Sequence, residues 1–134
     1  MKYLLDTDIA SYIIKLKSPM ARKKLDLIPP SQVAISAVTR AELLYGLQGL
    51  PAGHTTRAHV LNFLRITIVL PWGGEAGDWY AEVRHQLTVT GQPIGELDTM
   101  IAAHALALGA TLVTNNTRHY KRIAAPLMLE NWSV

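Results

Sequence analysis

Short apolar runs alternate with longer stretches in which apolar residues recur every three or four positions. The short runs are residues 2–5, 33–35, 66–70, 111–114 and 127–129, and they read as strands. The longer stretches read as helices. One covers 8–16, with Ile9, Tyr12, Ile13 and Leu16 on one face, and a second covers 19–27, stopped by Pro29-Pro30. A third runs from a cap at Ser36 or Thr39 to about Leu50, and a fourth covers 55–64. A fifth covers 75–89, striped by Trp79, Val83, Gln86 and Leu87, and a sixth opens at Asp98 and ends at Gly109. The strands are apolar throughout and not alternating, and helices separate them. That pattern predicts an α/β three-layer sandwich: a central, mostly parallel sheet of four to five strands with helices on both faces. Ligands of such sheets bind beyond the carboxyl ends of the strands.

Against this apolar background, isolated acids stand out. Asp6 ends the first strand, Glu42 lies in an apolar helix, and Asp98 opens another. A carboxylate among apolar residues is costly unless it is compensated. A hard divalent cation, which prefers oxygen ligands, compensates several at once. Asp6 and the Asn115-Asn116 pair both follow strands, and Glu42 and Asp98 lie near helix starts, so all belong to one rim of the sheet. Each also has a structural reading. Asp6 or Asp8 suits a helix cap. Thr39-Arg-Ala-Glu42 has the form of a capping box. Asp98 gains from the positive end of its own helix, Asn116 suits a turn, and Thr114 either bonds a carboxylate or simply ends a strand.

Composition narrows the classes. With 134 residues, 49% of them hydrophobic and 17% charged, the chain is expected to form one folded domain over 1–134. No cysteine is present, which excludes disulfide frameworks and thiolate chemistry and fits a cytoplasmic protein. No secretory signal and no membrane span are expected, since the most apolar stretch, 101–113, is too short and is broken by His104. Net charge is +3; with Asp6, Glu42 and Asp98 set aside, seven acids face thirteen basic residues. A basic surface around an acidic hollow suits a polyanionic substrate. Lys15, Lys17, Arg22, Lys23 and Lys24 form one cationic stretch, and Arg118, Lys121 and Arg122 form another beside Tyr120, a candidate for base stacking.

Four segments together resemble the PIN-domain ribonucleases, and within them the VapC toxins of toxin–antitoxin pairs. They are Leu4-Leu-Asp6-Thr-Asp-Ile9, Ile35-Ser-Ala-Val-Thr-Arg-Ala-Glu42-Leu-Leu-Tyr-Gly46, Pro93-Ile-Gly-Glu-Leu-Asp98-Thr-Met-Ile-Ala-Ala103 and Leu112-Val-Thr-Asn-Asn-Thr-Arg-His-Tyr120. The resemblance spans essentially the whole chain, down to Glu130-Asn-Trp132, and implies a single PIN domain. It implies that Asp6, Glu42 and Asp98 bind Mg²⁺, with Mn²⁺ as a substitute, and that the protein cuts RNA. Asp6 and Asp98 are expected to contact the ion directly or through water, Glu42 to orient water or act as general base, and Asn116 to hold a water or the phosphate. The chain departs from the family pattern at Asn116, where an acid is usual, at His119, where relatives carry an acid, and at Asp8, where Asn is usual. The resemblance further implies a tRNA substrate, with the initiator tRNA anticodon loop as the sharpest choice, and translation inhibition as the result. A homodimer and a VapB antitoxin that silences the enzyme in a larger assembly are implied as well.

Three rival readings remain open from sequence. Asp6-Thr-Asp8 fits the first half of a haloacid-dehalogenase phosphatase motif, although Ala10 stands where Thr or Val belongs. A metal-free ribonuclease would use two histidines, such as His59 and His119. A catalytically inactive PIN-like binding module would keep the fold alone. The remaining histidines show no metal-ligand spacing, and His104, among alanines, is expected in the core or an interface.

Overall fold

The computed structural model describes all 134 residues. Five strands form one sheet: β1 (Tyr3–Leu5), β2 (Val33–Ser36), β3 (Ile68–Leu70), β4 (Thr111–Val113) and β5 (Leu129–Glu130), in the order β3-β2-β1-β4-β5. Every pairing is parallel, with Leu5 opposite Ile35 on one side and Val113 on the other. Helices cover both faces, as continuous apolar strands require. The pleat sorts the side chains. Leu5, Val33, Ile35 and Val113 face α1 (Thr7–Ile14), α2 (Pro19–Asp26), α3 (Ala37–Tyr45) and α4 (Thr55–Ile66). Leu4, Ala34 and Leu112 face α5 (Gly74–Val89), α6 (Glu96–Leu108) and Tyr120 of α7 (Thr117–Tyr120).

Several boundaries differ from the sequence expectation. α3 ends at Tyr45 and not near Leu50: tight turns follow it, and Arg57 Nη2 donates to the Leu47 and Leu50 carbonyls at 3.1 and 3.3 Å. Ile66 completes α4, so only residues 68–70 pair with β2. α6 opens at Glu96, which places Asp98 third in the helix, and the last strand is shifted to 129–130. The short α7 was not anticipated, because four residues carry no readable periodicity. Gln86 is not a core stripe residue; its side chain donates to the Arg122 carbonyl and accepts from the Ala124 N–H, tying α5 to the chain after α7. No helix is long and apolar enough to cross a membrane.

Candidate active site

The chain leaves β1 in one direction through β2 and β3, then returns to β4 on the other side. The strand order therefore reverses between β1 and β4, and the crevice beyond their carboxyl ends is where such sheets bind ligands. Asp6 stands there, only 2% exposed. Its Oδ1 accepts the Ile9 N–H at 2.8 Å, so it caps α1 as well as facing the crevice. Thr114, buried at the end of β4, lies beside it. The Thr114 Oγ1 accepts the Asn116 N–H at 3.0 Å, which leaves its own hydrogen for Asp6. Burial nonetheless pushes the Asp6 pKa up to about 7; Thr114 and Ile9 ease it, and the charges of Asp8 and Asp98 add to it.

Glu42 comes from α3. The capping-box reading fails, because Ser36 takes the cap by accepting the Val38 N–H at 3.1 Å. Glu42 then lies in the second turn, where backbone N–H groups already have partners. Its Oε1 accepts the Thr7 hydroxyl at 2.6 Å, and Thr7 lies 3.0 Å from the hydroxyl of buried Thr39. One hydroxyl gives only one hydrogen, so Thr39 donates to Thr7 and Thr7 to Glu42. Burial raises the Glu42 pKa, the Thr7 bond eases it, and Asp98 and Asp8 raise it again. Thr7 and Thr39 were missed as site residues. The available signal was a hydroxyl directly after Asp6 and another one helical turn before Glu42.

Asp98, in the first turn of α6, is half-buried, and its Oδ2 lies 3.2 Å from His119 Nε2. Burial raises its pKa; the His119 ring and the Tyr120 hydroxyl ease it, and Asp8 opposes them. Tyr120 is 2% exposed, which removes it as a surface for stacking bases. Its hydroxyl neighbours Asp98 without a well-formed hydrogen bond, and burial with the nearby carboxylates raises its pKa, so it stays protonated. Asp8 does not cap α1; it sits exposed in the first turn as a fourth carboxylate acting on the other three. Asn116 is exposed on the same rim, opening α7, and its side chain caps nothing.

A cavity of about 170 Å³ runs from Thr7, Asp8 and Glu42 to Lys15 and Thr56. Lys15, Arg118 and Lys121 are exposed. His104 is buried as expected, bonded through Nδ1 to Ser36 Oγ at 2.8 Å, and burial lowers its pKa. His59 is exposed on α4, which packs on α1 and α3, whereas α7 packs on β5; nothing pairs it with His119.

The donors on this rim are all hard oxygens, and burial and mutual repulsion raise the pKa of Asp6, Glu42 and Asp98, so their ionised forms are costly. A dication relieves both costs. No three acidic or imidazole groups meet in one coordination sphere. The set fits a hydrated ion held by one or two carboxylates, which is the habit of Mg²⁺, and not a cage that strips the ion of its water.

Residues 3–126 match the PIN domain family. The tRNA(fMet)-specific endonuclease VapC of Shigella flexneri is 35% identical over 133 residues, covering 99% of each chain. Ribonuclease VapC2 of Rickettsia felis is 36% identical over 133 residues, covering 98% of each. Among solved structures, DNA-bound VapBC from Salmonella typhimurium has a TM-score of 0.90 at 34% identity, covering 98% of each chain. VapBC2 from Rickettsia felis, bound to a promoter DNA fragment, has a TM-score of 0.88 at 35% identity, covering 98% of this chain and 99% of the other.

Proposed function

This chain belongs to the PIN-domain family and, within it, to the VapC ribonucleases, and from that premise we propose that it hydrolyses RNA phosphodiester bonds with the help of Mg²⁺. The observation that carries the reading is a group of four carboxylates at the strand-reversal crevice, in which Asp98 and Asp8 act on both Asp6 and Glu42, and Asp6 is almost fully buried. A haloacid-dehalogenase phosphatase has no support once the PIN match spans residues 3–126.

Asp6 and Asp98 are the residues that would hold the ion. When bound, Mg²⁺ supplies neutralisation of the phosphate charge and a more acidic water. Glu42 is the proposed general base. The Thr7 bond occupies its Oε1 and leaves Oε2 to take a proton from the attacking water. Its raised pKa makes it a stronger base than an ordinary carboxylate. Water oxygen bonds to phosphorus, the bond to the 3′-oxygen breaks, and that oxygen takes a proton from solvent. The ends are then a 5′-phosphate and a 3′-hydroxyl. Asn116 is the proposed phosphate contact, and Lys15, Arg118 and Lys121 would steer the RNA.

The similarity to a tRNA(fMet)-specific endonuclease supports tRNA as substrate and arrest of translation as the consequence. The VapBC complexes among the structural relatives support a VapB-type antitoxin as partner, and a homodimer is proposed with it. An apolar cavity of about 270 Å³ between α2 and α4, lined by Leu25, Ile28, Phe63 and Ile66, suits the apolar side chains of such a partner.

The test is direct. Purified protein is incubated with total tRNA and Mg²⁺, with and without EDTA, and the fragment ends are sequenced. Cleavage that needs the metal and leaves 5′-phosphates is expected. EDTA-resistant cleavage with cyclic phosphate ends would overturn the mechanism. Asp98→Asn is expected to lower the rate by about 100-fold or more, the equivalent of a few kcal/mol of lost transition-state stabilisation.

A further inference from the structure

His119 touches two parts of the rim with one nitrogen. Its Nε2 lies 2.6 Å from the Ile94 carbonyl oxygen and 3.2 Å from Asp98 Oδ2. A carbonyl oxygen has no hydrogen to give, so the hydrogen of the shorter contact is on Nε2. With that hydrogen committed to Ile94, the same N–H edge lies against Asp98 Oδ2 as a close polar contact and not as a second well-formed bond. This holds whether or not Nδ1 is also protonated. Ile94 directly precedes Gly95, which adopts φ +97, a conformation that side-chain-bearing residues rarely take. Gly95 is the N-cap of α6, and α6 carries Asp98 in its first turn. A donor on the Ile94 carbonyl therefore fixes how α6 starts, and the positive ring edge it holds in place lies against Oδ2 of the carboxylate. The ring itself is confined, because buried Tyr120 stands edge-on to it with centroids 5.6 Å apart and planes at 85°.

We propose that His119 is a positioning residue for Asp98: its Nε2–H, bonded to the Ile94 carbonyl, sets the start of α6 and holds a polar edge against Oδ2, so that Oδ1 meets a ligand in one orientation. The consequence for cleavage rests on the ribonuclease reading. The consequence for ion binding rests on the geometry alone. Groups that orient a metal-binding side chain from behind typically change affinity or activity by about 10–100-fold when removed.

Three full-length proteins decide it: wild type, His119→Gln and His119→Ala. Glutamine places an amide N–H near the position of Nε2, and alanine does not. His119→Ala is expected to bind Mn²⁺ about 10-fold more weakly by electron paramagnetic resonance and to lose about 10–100-fold in kcat on a defined RNA. KM should stay within about twofold, since the substrate-steering lysines and arginines are untouched. His119→Gln is expected to recover most of both losses. A long-range ¹H–¹⁵N spectrum of the wild type should show the His119 ring protonated at Nε2. A neutral ring protonated only at Nδ1 overturns the proposal, as does His119→Ala with wild-type Mn²⁺ affinity, or His119→Gln as impaired as His119→Ala. If the wild type cuts no RNA, the ribonuclease reading fails, and Mn²⁺ affinity together with the ring spectrum still decides the positioning role.

Discussion

Asp6→Asn is expected to abolish RNA cleavage and, at the same time, to make the metal-free protein more stable at pH 8. The two effects share one cause. Burial holds the Asp6 pKa at about 7 against a reference of 3.8. Below the reference value the carboxyl is protonated in both folded and unfolded chains and costs nothing. Between roughly pH 4 and 7 the unfolded chain has released its proton while the folded one still holds it, so stability falls as pH rises. Above 7 the folded protein carries the full cost of a buried, repelled charge. At 1.36 kcal/mol per pKa unit this lies between about 1 and 4 kcal/mol, the upper figure being the whole shift. Asparagine keeps an oxygen to accept the Ile9 N–H and is itself a good cap, so the start of α1 survives. The charge that an ion needs is gone, and with it the activity. His104 acts with the opposite sign: its lowered pKa removes stability as pH falls below its ordinary range. The difference between wild type and variant, by denaturant unfolding in EDTA at pH 5 and pH 8, isolates Asp6. The gap should open at pH 8 and close at pH 5. Equal stabilities at pH 8 would show that the Asp6 charge is already compensated, and the cation would lose its reason to bind. Saturating Mg²⁺ should stabilise the wild type at pH 8 and leave Asp6→Asn unmoved, because a ligand stabilises only the state that binds it.

The parts of this arrangement that follow from periodicity were legible in the chain. Unbroken apolar triplets separated by helices required a parallel sheet covered on both faces, and residues directly after β1 and β4 had to share one rim. Asp6 and Thr114 follow from that logic alone. What escaped it was the pairing of short polar side chains across elements. Thr39-Arg-Ala-Glu42 looks like a cap in isolation, and only the position of Ser36, one turn earlier, frees Thr39 and Glu42 for Thr7 on α1. Tyr120 read as a surface aromatic because it stands among Arg118, His119, Lys121 and Arg122. In the fold it is the inward residue of a one-turn helix too short to show a period. The acids gather within electrostatic reach of one another but do not close into a cage, a distinction that depends on side-chain rotamers and not on sequence spacing.

Trp132→Ala is expected to cost more stability than any substitution on the rim, although Trp132 lies two residues beyond the last strand. Its side chain is 0% exposed and is among the largest buried groups in the molecule. It packs edge-on against Tyr3 of β1, with centroids 5.2 Å apart and planes at 67°, and belongs to the same core as Leu5, Ile9, Ile13 and Val113. Its Nε1 donates to Glu130 Oε1 at 3.1 Å, so the chain end is held by a polar contact as well as by burial. Removing a buried tryptophan leaves a cavity that the neighbours fill only in part, at about 3–5 kcal/mol. A chain of this size has a total stability of roughly 5–15 kcal/mol, so the variant keeps little margin. The melting temperature should fall by roughly 10–20 °C. Trp132→Phe keeps the ring contact with Tyr3 and loses only volume and the Glu130 bond, and should cost about 1–2 kcal/mol. The consequence reaches the crevice, because Trp132 supports the strand that ends in Asp6. A Trp132→Ala protein that is folded at low temperature should therefore cut RNA more slowly than Trp132→Phe under the same conditions. A loss below about 1 kcal/mol for the alanine variant, measured by denaturant unfolding, would mean that β1 holds its place without this residue.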